Sequence, residues 1–223
     1  MQHSPSQLVS ARDLTTVTHD GRILSQHLTF QVNTSEILLV SGPNGVGKST
    51  LLRVLLGYQK PLRGSVSIQV PHQRVGYLPQ LQNTDFHLPL TLRDILDTAT
   101  HHAIDDQEIL DCELLSQEHL NLSWKTASGG ERKRTLITRI LLQDPDLLVL
   151  DEPMNHLDPS SRFQVAKALE HFVTRPSKRG TGRSVIIISH EKSLGHLIDS
   201  VSLRKLILQS PQSPSLEELT DVE

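Results

Sequence analysis

Cysteine, long apolar runs and an excess of basic charge are all scarce in this sequence, and each shortage removes a class of protein. Cys112 is the sole cysteine, so no internal disulfide can form, which suits a reducing compartment. Its plain reading is a small apolar helix residue. The longest apolar runs, such as 147–150 and 185–188, fall far below the roughly 20 residues that a bilayer span requires. Residues 1–7 hold no signal-peptide core, so the expectation is a chain without direct membrane insertion that stays in the cytoplasm. A formal net charge of −3 provides no basic excess and argues against nucleic acid as a partner. Twelve histidines are present but scattered. His101 and His102 are adjacent without companions at ligand spacing, which reads as solvated surface rather than a metal site.

What remains is enough for a globular enzyme. At 223 residues with 36% hydrophobic side chains, the chain suits one domain, or one domain with a subdomain, held by an apolar core. Residues 28–32 and 65–70 alternate with period two and read as strands of a small β layer. From Thr91 the pattern turns helical: Thr91 and Asp94 form a capping-box pair, and Leu92, Ile95, Leu96 and Ala99 recur at helical spacing. A second helix is expected over 105–115. Later segments alternate as helix 131–142, strand 147–150, helix 160–173 and strand 185–188, which implies a parallel sheet with covering helices. Residues 174–183, with Pro176, Gly180 and Gly182 among basic side chains, read as a mobile surface loop, and 209–223 as a polar, acidic, mobile tail.

The chemistry starts at Gly42-Pro43-Asn44-Gly45-Val46-Gly47-Lys48-Ser49-Thr50. This fits G-x-x-x-x-G-K-[ST] and lies between an apolar strand, 36–40, and a half-apolar helix, 49–56. The glycines let successive N–H groups point inward as an anion nest, and the helix that follows adds its positive end. Lys48 is then placed to reach terminal phosphates and Ser49 to bind Mg2+, so the expected ligand is a nucleoside triphosphate. A merely flexible glycine loop would not need Lys and Ser at those two places together. No internal repeat is present, so one nucleotide-binding unit is expected.

Asp151 and Glu152 close the apolar strand 147–150 at the carboxyl edge of the expected sheet. Asp151 would hold Mg2+, directly or through water, and Glu152 would polarise the water that attacks the γ-phosphate. The alternative for both is a simple helix cap. Ser128-Gly129-Gly130 alone is only a Ser-Gly turn opening a helix. Gln80 and His190 each follow a strand and could equally be structural.

Taken in order, these segments resemble the ATP-binding cassette ATPases that power ABC transporters, over residues 8 to 208. The resemblance implies an α/β P-loop NTPase fold: a RecA-like parallel sheet core, an antiparallel β subdomain, and a helical subdomain inserted at about 81–128. It implies that residues 42–50 are the Walker A loop, Gln80 the Q-loop glutamine, Ser128 to Gly130 the signature motif, Asp151 and Glu152 Walker B with its catalytic glutamate, 155–158 the D-loop, and His190 the switch histidine. Lys48, Gln80, Glu152 and His190 would act in catalysis, with Ser49, Gln80 and Asp151 around Mg2+. Cassettes of this family pair head to tail, each ATP lying between the Walker A loop of one copy and the signature motif of the other. The implied partners are therefore a second cassette and transmembrane permease subunits, which would hold the chain at the inner face of the cell membrane.

Three positions depart from the family pattern. Ala127 stands where leucine is usual, and Glu131 where glutamine is frequent. In 16–21, where an adenine-stacking Tyr or Phe is usual, only His19 offers a ring, so adenine affinity is expected to be lower; base stacking contributes on the order of 1 to 3 kcal/mol in other nucleotide sites. The stretch 76–80 with 88–94 looks like the Q-loop region of zinc and manganese importer ATPases. A haem-export cassette is the alternative within transport, although Gln80 argues against it. A soluble ABC ATPase acting on nucleic acid or ribosomes, which usually carries two cassettes or long coiled coils, is the alternative outside it. A regulatory sensor with little turnover is disfavoured because every catalytic role has a candidate.

Overall fold

In the computed structural model of the chain, residues 6–80, 89–189, 194–198, 200–209 and 215–218 are described. Strands β1 (Gln7–Val17), β2 (Ile23–Asn33) and β4 (Arg63–Ile68) form an antiparallel sheet in the order β2-β1-β4. A second sheet has the order β5-β6-β7-β3-β8-β9, where β3 is Glu36–Ser41, β5 Val75–Leu78, β6 Leu147–Asp151, β7 Ser184–Ile188, β8 Ser202–Ile207 and β9 Ser215–Glu218. All its neighbours pair in parallel except β8 and β9.

The central strands are apolar throughout because both faces are covered, as parallel sheets require. Every residue of β6 and β7 is buried. Alternate side chains go to opposite layers. Leu38, Val40, Leu147, Val149, Ile186 and Ile188 pack with α1 (Lys48–Leu55) and the antiparallel sheet. Their neighbours Ile37, Leu39, Leu148, Leu150, Val185 and Ile187 pack instead with α5 (Gly129–Leu142) and α6 (Pro159–Thr174). The expected α/β fold, with its antiparallel layer beside a parallel sheet, is therefore present.

Among the described residues between β5 and α5 lie three short helices, α2 (Leu92–Asp97), α3 (Asp106–Leu110) and α4 (Gln117–Leu120), with two small cores of their own. The Thr91–Asp94 capping box forms as expected. The helix expected over 105–115 is shorter. It ends at Leu110 because the chain turns over, with Glu113 in the left-handed region at φ 59°, and a new cap at Ser116 opens α4.

Two further expectations change. The loop 174–183 is anchored rather than loose. Lys178 N–H donates to both Asp144 oxygens at 3.2 Å, Arg179 and Arg183 pair with the same carboxylate, and Thr181 Oγ1 donates to Asp146 at 2.6 Å. In the segment expected to be a tail, residues 215–218 add β9 antiparallel to β8.

Candidate nucleotide site

The carboxyl ends of β3, β5 and β6 gather along one edge of the sheet, and each delivers part of a cleft of about 520 Å³. After β3 the chain bends through Gly42, Gly45 and Gly47, with φ of 148°, 76° and 106°, conformations that only glycine adopts freely. Gly42 has a second reason to be glycine: a Cβ there would lie 2.4 Å from the carbonyl oxygen of Leu208 at the end of β8. Gly47 sets the N-terminus of α1 without a capping side chain. The leading N–H groups of α1 thus meet the cleft floor beside Lys48, Ser49 and Thr50, which line it with Asn44, Gly45 and Gly47. This is the arrangement that binds phosphate.

Lys48 is buried, 6% exposed, and its ammonium donates to the carbonyls of Gly42 and Pro43 at 2.9 Å each. Burial lowers its pKa, against the opposing pull of Glu152 and Asp151. Asp151 is 4% exposed. Its pKa is raised, first by burial; the Ser49 hydroxyl, bonded to the carboxylate, acts against that rise. The other carboxylate oxygen, Oδ1, is buried without a hydrogen-bond partner. A buried oxygen of this kind costs about 1–3 kcal/mol, and a hard cation would remove that cost. Asp151 and Ser49 are oxygen donors, the type Mg2+ takes, so the residues present fit the ion.

Glu152 follows with φ 53°, a left-handed conformation that costs roughly 1–3 kcal/mol in a non-glycine residue. Its N–H donates to the carbonyl of Ile188 at 3.0 Å. Its Oε2 accepts the side-chain amide of Gln80 at 2.8 Å and that of Asn155. Gln80, Glu152 and Asn155 all line the cleft. The resemblance placed Asn155 in the D-loop but gave it no contact with Glu152; an amide three residues after the glutamate was the available signal.

Other expected residues stand elsewhere. His19 is exposed on the turn between β1 and β2, and the lining beside it comes from Thr18 and Leu24. Ser128 caps α5 in a capping box with Glu131, whose carboxylate accepts the Ser128 N–H at 2.6 Å. It lies outside the cleft lining, and the space beside a Cβ at Gly129 is open. Ala127 is buried with Leu92, Ile95 and Trp124. His190 lies outside the described residues, as do residues 81–88 at the start of the segment expected to be inserted. Cys112 is half-buried, and burial pushes its thiol pKa up to about 12, which leaves it unreactive. Among the described residues no helix is long and apolar enough to cross a membrane, and no group of three or more His, Cys, Asp or Glu is placed to hold a metal.

A glycine loop at a strand-to-helix turn, with a buried strand ending in two carboxylates beside it, defines a phosphate-loop nucleotide-binding protein. Residues 25–155 match the family model described as ABC transporter. The chain is 40% identical over 167 residues to the zinc import ATP-binding protein ZnuC 1 of Hahella chejuensis, covering 74% of this chain and 64% of that protein. It is 37% identical over 175 residues to the ZnuC of Acinetobacter baylyi, covering 78% of this chain and 65% of that protein. Among solved structures, a chain of an inward-facing ABC transporter, described as of metal-chelate type, superposes with a TM-score of 0.76 at 25% identity, covering 96% of this chain and 84% of that one. This chain belongs to the ABC transporter ATP-binding family. It spans slightly less than two thirds of the length of the two ZnuC proteins.

Proposed function

We propose that the chain binds ATP with Mg2+ in this cleft and hydrolyses it, as the ATPase subunit of an ABC transporter that imports a metal ion of the zinc or manganese type. The observation that carries the hydrolytic part is one cleft lined by Glu152 together with Lys48 and Ser49 of the glycine loop, with the Ser49 hydroxyl bonded to the Asp151 carboxylate at the end of β6. The loop N–H groups and the start of α1 hold the phosphates. Lys48, released from the Gly42 and Pro43 carbonyls, moves onto the terminal phosphates. When bound, Mg2+ neutralises charge on the phosphate oxygens, held by Ser49 and Asp151 with Gln80 beside it. Glu152 orients a water and takes its proton as the oxygen attacks the γ-phosphorus; the bond to the leaving oxygen of ADP breaks, and phosphate departs. His190 is assigned the sensing of the γ-phosphate, and His19 the contact with adenine.

The Ser128–Gly130 turn supports a two-copy site, because Ser128 and Gly129 are exposed and lie outside the lining of the chain's own cleft, so that the N-terminus of α5 could meet a phosphate held by a second copy. Head-to-tail pairing of cassettes in the ATP-bound state follows, with transmembrane permease subunits as the other partners and the inner face of the cell membrane as the location. The import reading rests on the likeness to the two ZnuC proteins. Steady-state assay of the full chain tests the enzymatic part: Mg2+-dependent release of phosphate is expected, and Lys48→Ala should abolish nucleotide binding. Tight ATP binding by Lys48→Ala would remove the phosphate-loop assignment. Gentle solubilisation of native membranes should copurify a multi-span permease, whereas recovery with ribosomes or nucleic acid would replace the transport reading.

A further inference from the structure

Lys133 lies on α5, five residues after the Ser128 cap that opens the helix. Its ammonium reaches out of the helix and donates to two main-chain oxygens, the carbonyl of Glu152 at 3.1 Å and that of Asn155 at 3.0 Å. These carbonyls bracket a turn, since the Asn155 N–H also donates to the Glu152 carbonyl at 3.4 Å. The turn starts on the left-handed Glu152, and its last residue sends a side-chain amide to the Glu152 carboxylate. A strained turn of this kind persists only when its surroundings over-determine it. Burial lowers the pKa of Lys133, and the nearby Glu152 charge acts in the opposite direction. A half-buried ammonium spent on two carbonyls contributes little to α5 itself, whose first turn is already satisfied by Ser128 and Glu131. On the same helix Arg134 bonds the Ser161 hydroxyl at the start of α6, so α5 grips the segment after β6 at two points.

We propose that Lys133 is a positioning residue for ATP hydrolysis. It locks the Glu152–Asn155 turn to the helix that begins at Ser128–Gly130, so that the aim of the Glu152 carboxylate follows the position of that helix. The proposal rests on the hydrolytic reading above. In this role Lys133 needs no contact of its own with nucleotide or water. It acts through the two carbonyls, and a load on the Ser128 end of α5 passes through it to the attacking-water position.

The test uses the full chain with Mg2+-ATP. Lys133→Met keeps the apolar stem and deletes the donors. Its kcat is expected to fall about 10- to 100-fold, the scale of a small misplacement of a reacting group, while the affinity for labelled ATP stays within about twofold of the parent chain. Lys133→Arg retains N–H donors at that end and should recover most of the turnover. In a Glu152→Gln background the Lys133→Met change should have no further effect on residual turnover, because both act through one carboxylate. Wild-type kcat in Lys133→Met overturns the proposal, as does an undiminished Lys133→Met effect in the Glu152→Gln background. Equal losses of kcat and ATP affinity, unrescued by arginine, would reduce Lys133 to a general structural role and overturn it too. If the parent chain itself shows no Mg2+-dependent turnover, the hydrolytic reading fails and takes the Lys133 role with it.

Discussion

Both ends of β6 carry buried carboxylates, and they are treated in opposite ways. Before the strand, Asp146 is paired with Arg74 and accepts from Thr181, while Asp144 is surrounded by Arg179, Arg183 and the Lys178 N–H. After the strand, Asp151 keeps a buried oxygen without a hydrogen-bond partner, and Glu152 is held by neutral amides of Gln80 and Asn155 in a strained backbone conformation. The first end spends its charges on joining the 174–183 loop to the sheet. At the second end the carboxylates face Lys48 and the Ser49 hydroxyl of the glycine loop instead. A buried carboxylate bonded through both oxygens serves the fold, whereas the unbonded Oδ1 of Asp151 is what makes the other end of the strand the candidate for chemistry.

Substitutions at the two ends should therefore separate activity from stability. The largest effect is expected from Glu152→Gln, which should bind ATP, accumulate as a closed dimer and lose about 10²- to 10⁴-fold in turnover, with an unchanged melting temperature; phosphate release, size-exclusion chromatography with ATP and calorimetry measure these. Normal turnover in that variant would dissolve the contrast. At the other end, Asp146→Ala leaves Arg74 without its buried partner and should cost about 3–5 kcal/mol, a fall in Tm on the order of 10 °C, while ATP affinity at low temperature is retained. Calorimetry beside nucleotide titration would show it.

Asp151→Asn should do the reverse for the nucleotide-free chain. Because burial raises the folded-state pKa of Asp151 above its ordinary 3.8, protonation favours the fold, and the wild type loses stability as pH rises through that higher value. The variant should be more stable by on the order of 1 kcal/mol near neutral pH, with the advantage vanishing near pH 4 and below, and should lose the Tm rise that Mg2+-ATP gives the parent. Unfolding followed against pH measures this. The smallest effect is expected for Ser128→Ala, which removes a helix cap worth about 1 kcal/mol and should leave ATP affinity of a single chain untouched, because the turn lies outside the cleft. Weakened binding in dilute, monomeric protein would show that Ser128 reaches its own site.

The phosphate loop was legible because it is a local demand: three glycines at left-handed positions, then Lys and Ser at the start of a helix, lie within nine consecutive residues. Asp151 and Glu152 were legible for a related reason, since an all-apolar strand that ends in carboxylates has only one edge at which to present them. The 174–183 loop was misread as mobile. Its Pro and Gly content reports on broken secondary structure and carries no information about Asp144 and Asp146, more than 30 residues away, which tie it down. The helix expected to reach residue 115 stops at Leu110, because helical spacing of Leu and Ile cannot register the left-handed Glu113 that ends it.

By itself, then, the sequence determined the local conformations and the order of the elements: the glycine turns, the helix starts at Thr91 and Ser128, and the apolar runs that must be central strands. Tertiary structure alone decided which polar groups meet. Lys133 finds carbonyls 19 and 22 residues later, and Gln80 finds Glu152 72 residues on. The reason is physical. Backbone conformation and hydrophobic periodicity act over a few residues, whereas the partner of a buried charge is chosen by whatever the packed layers bring within hydrogen-bonding distance.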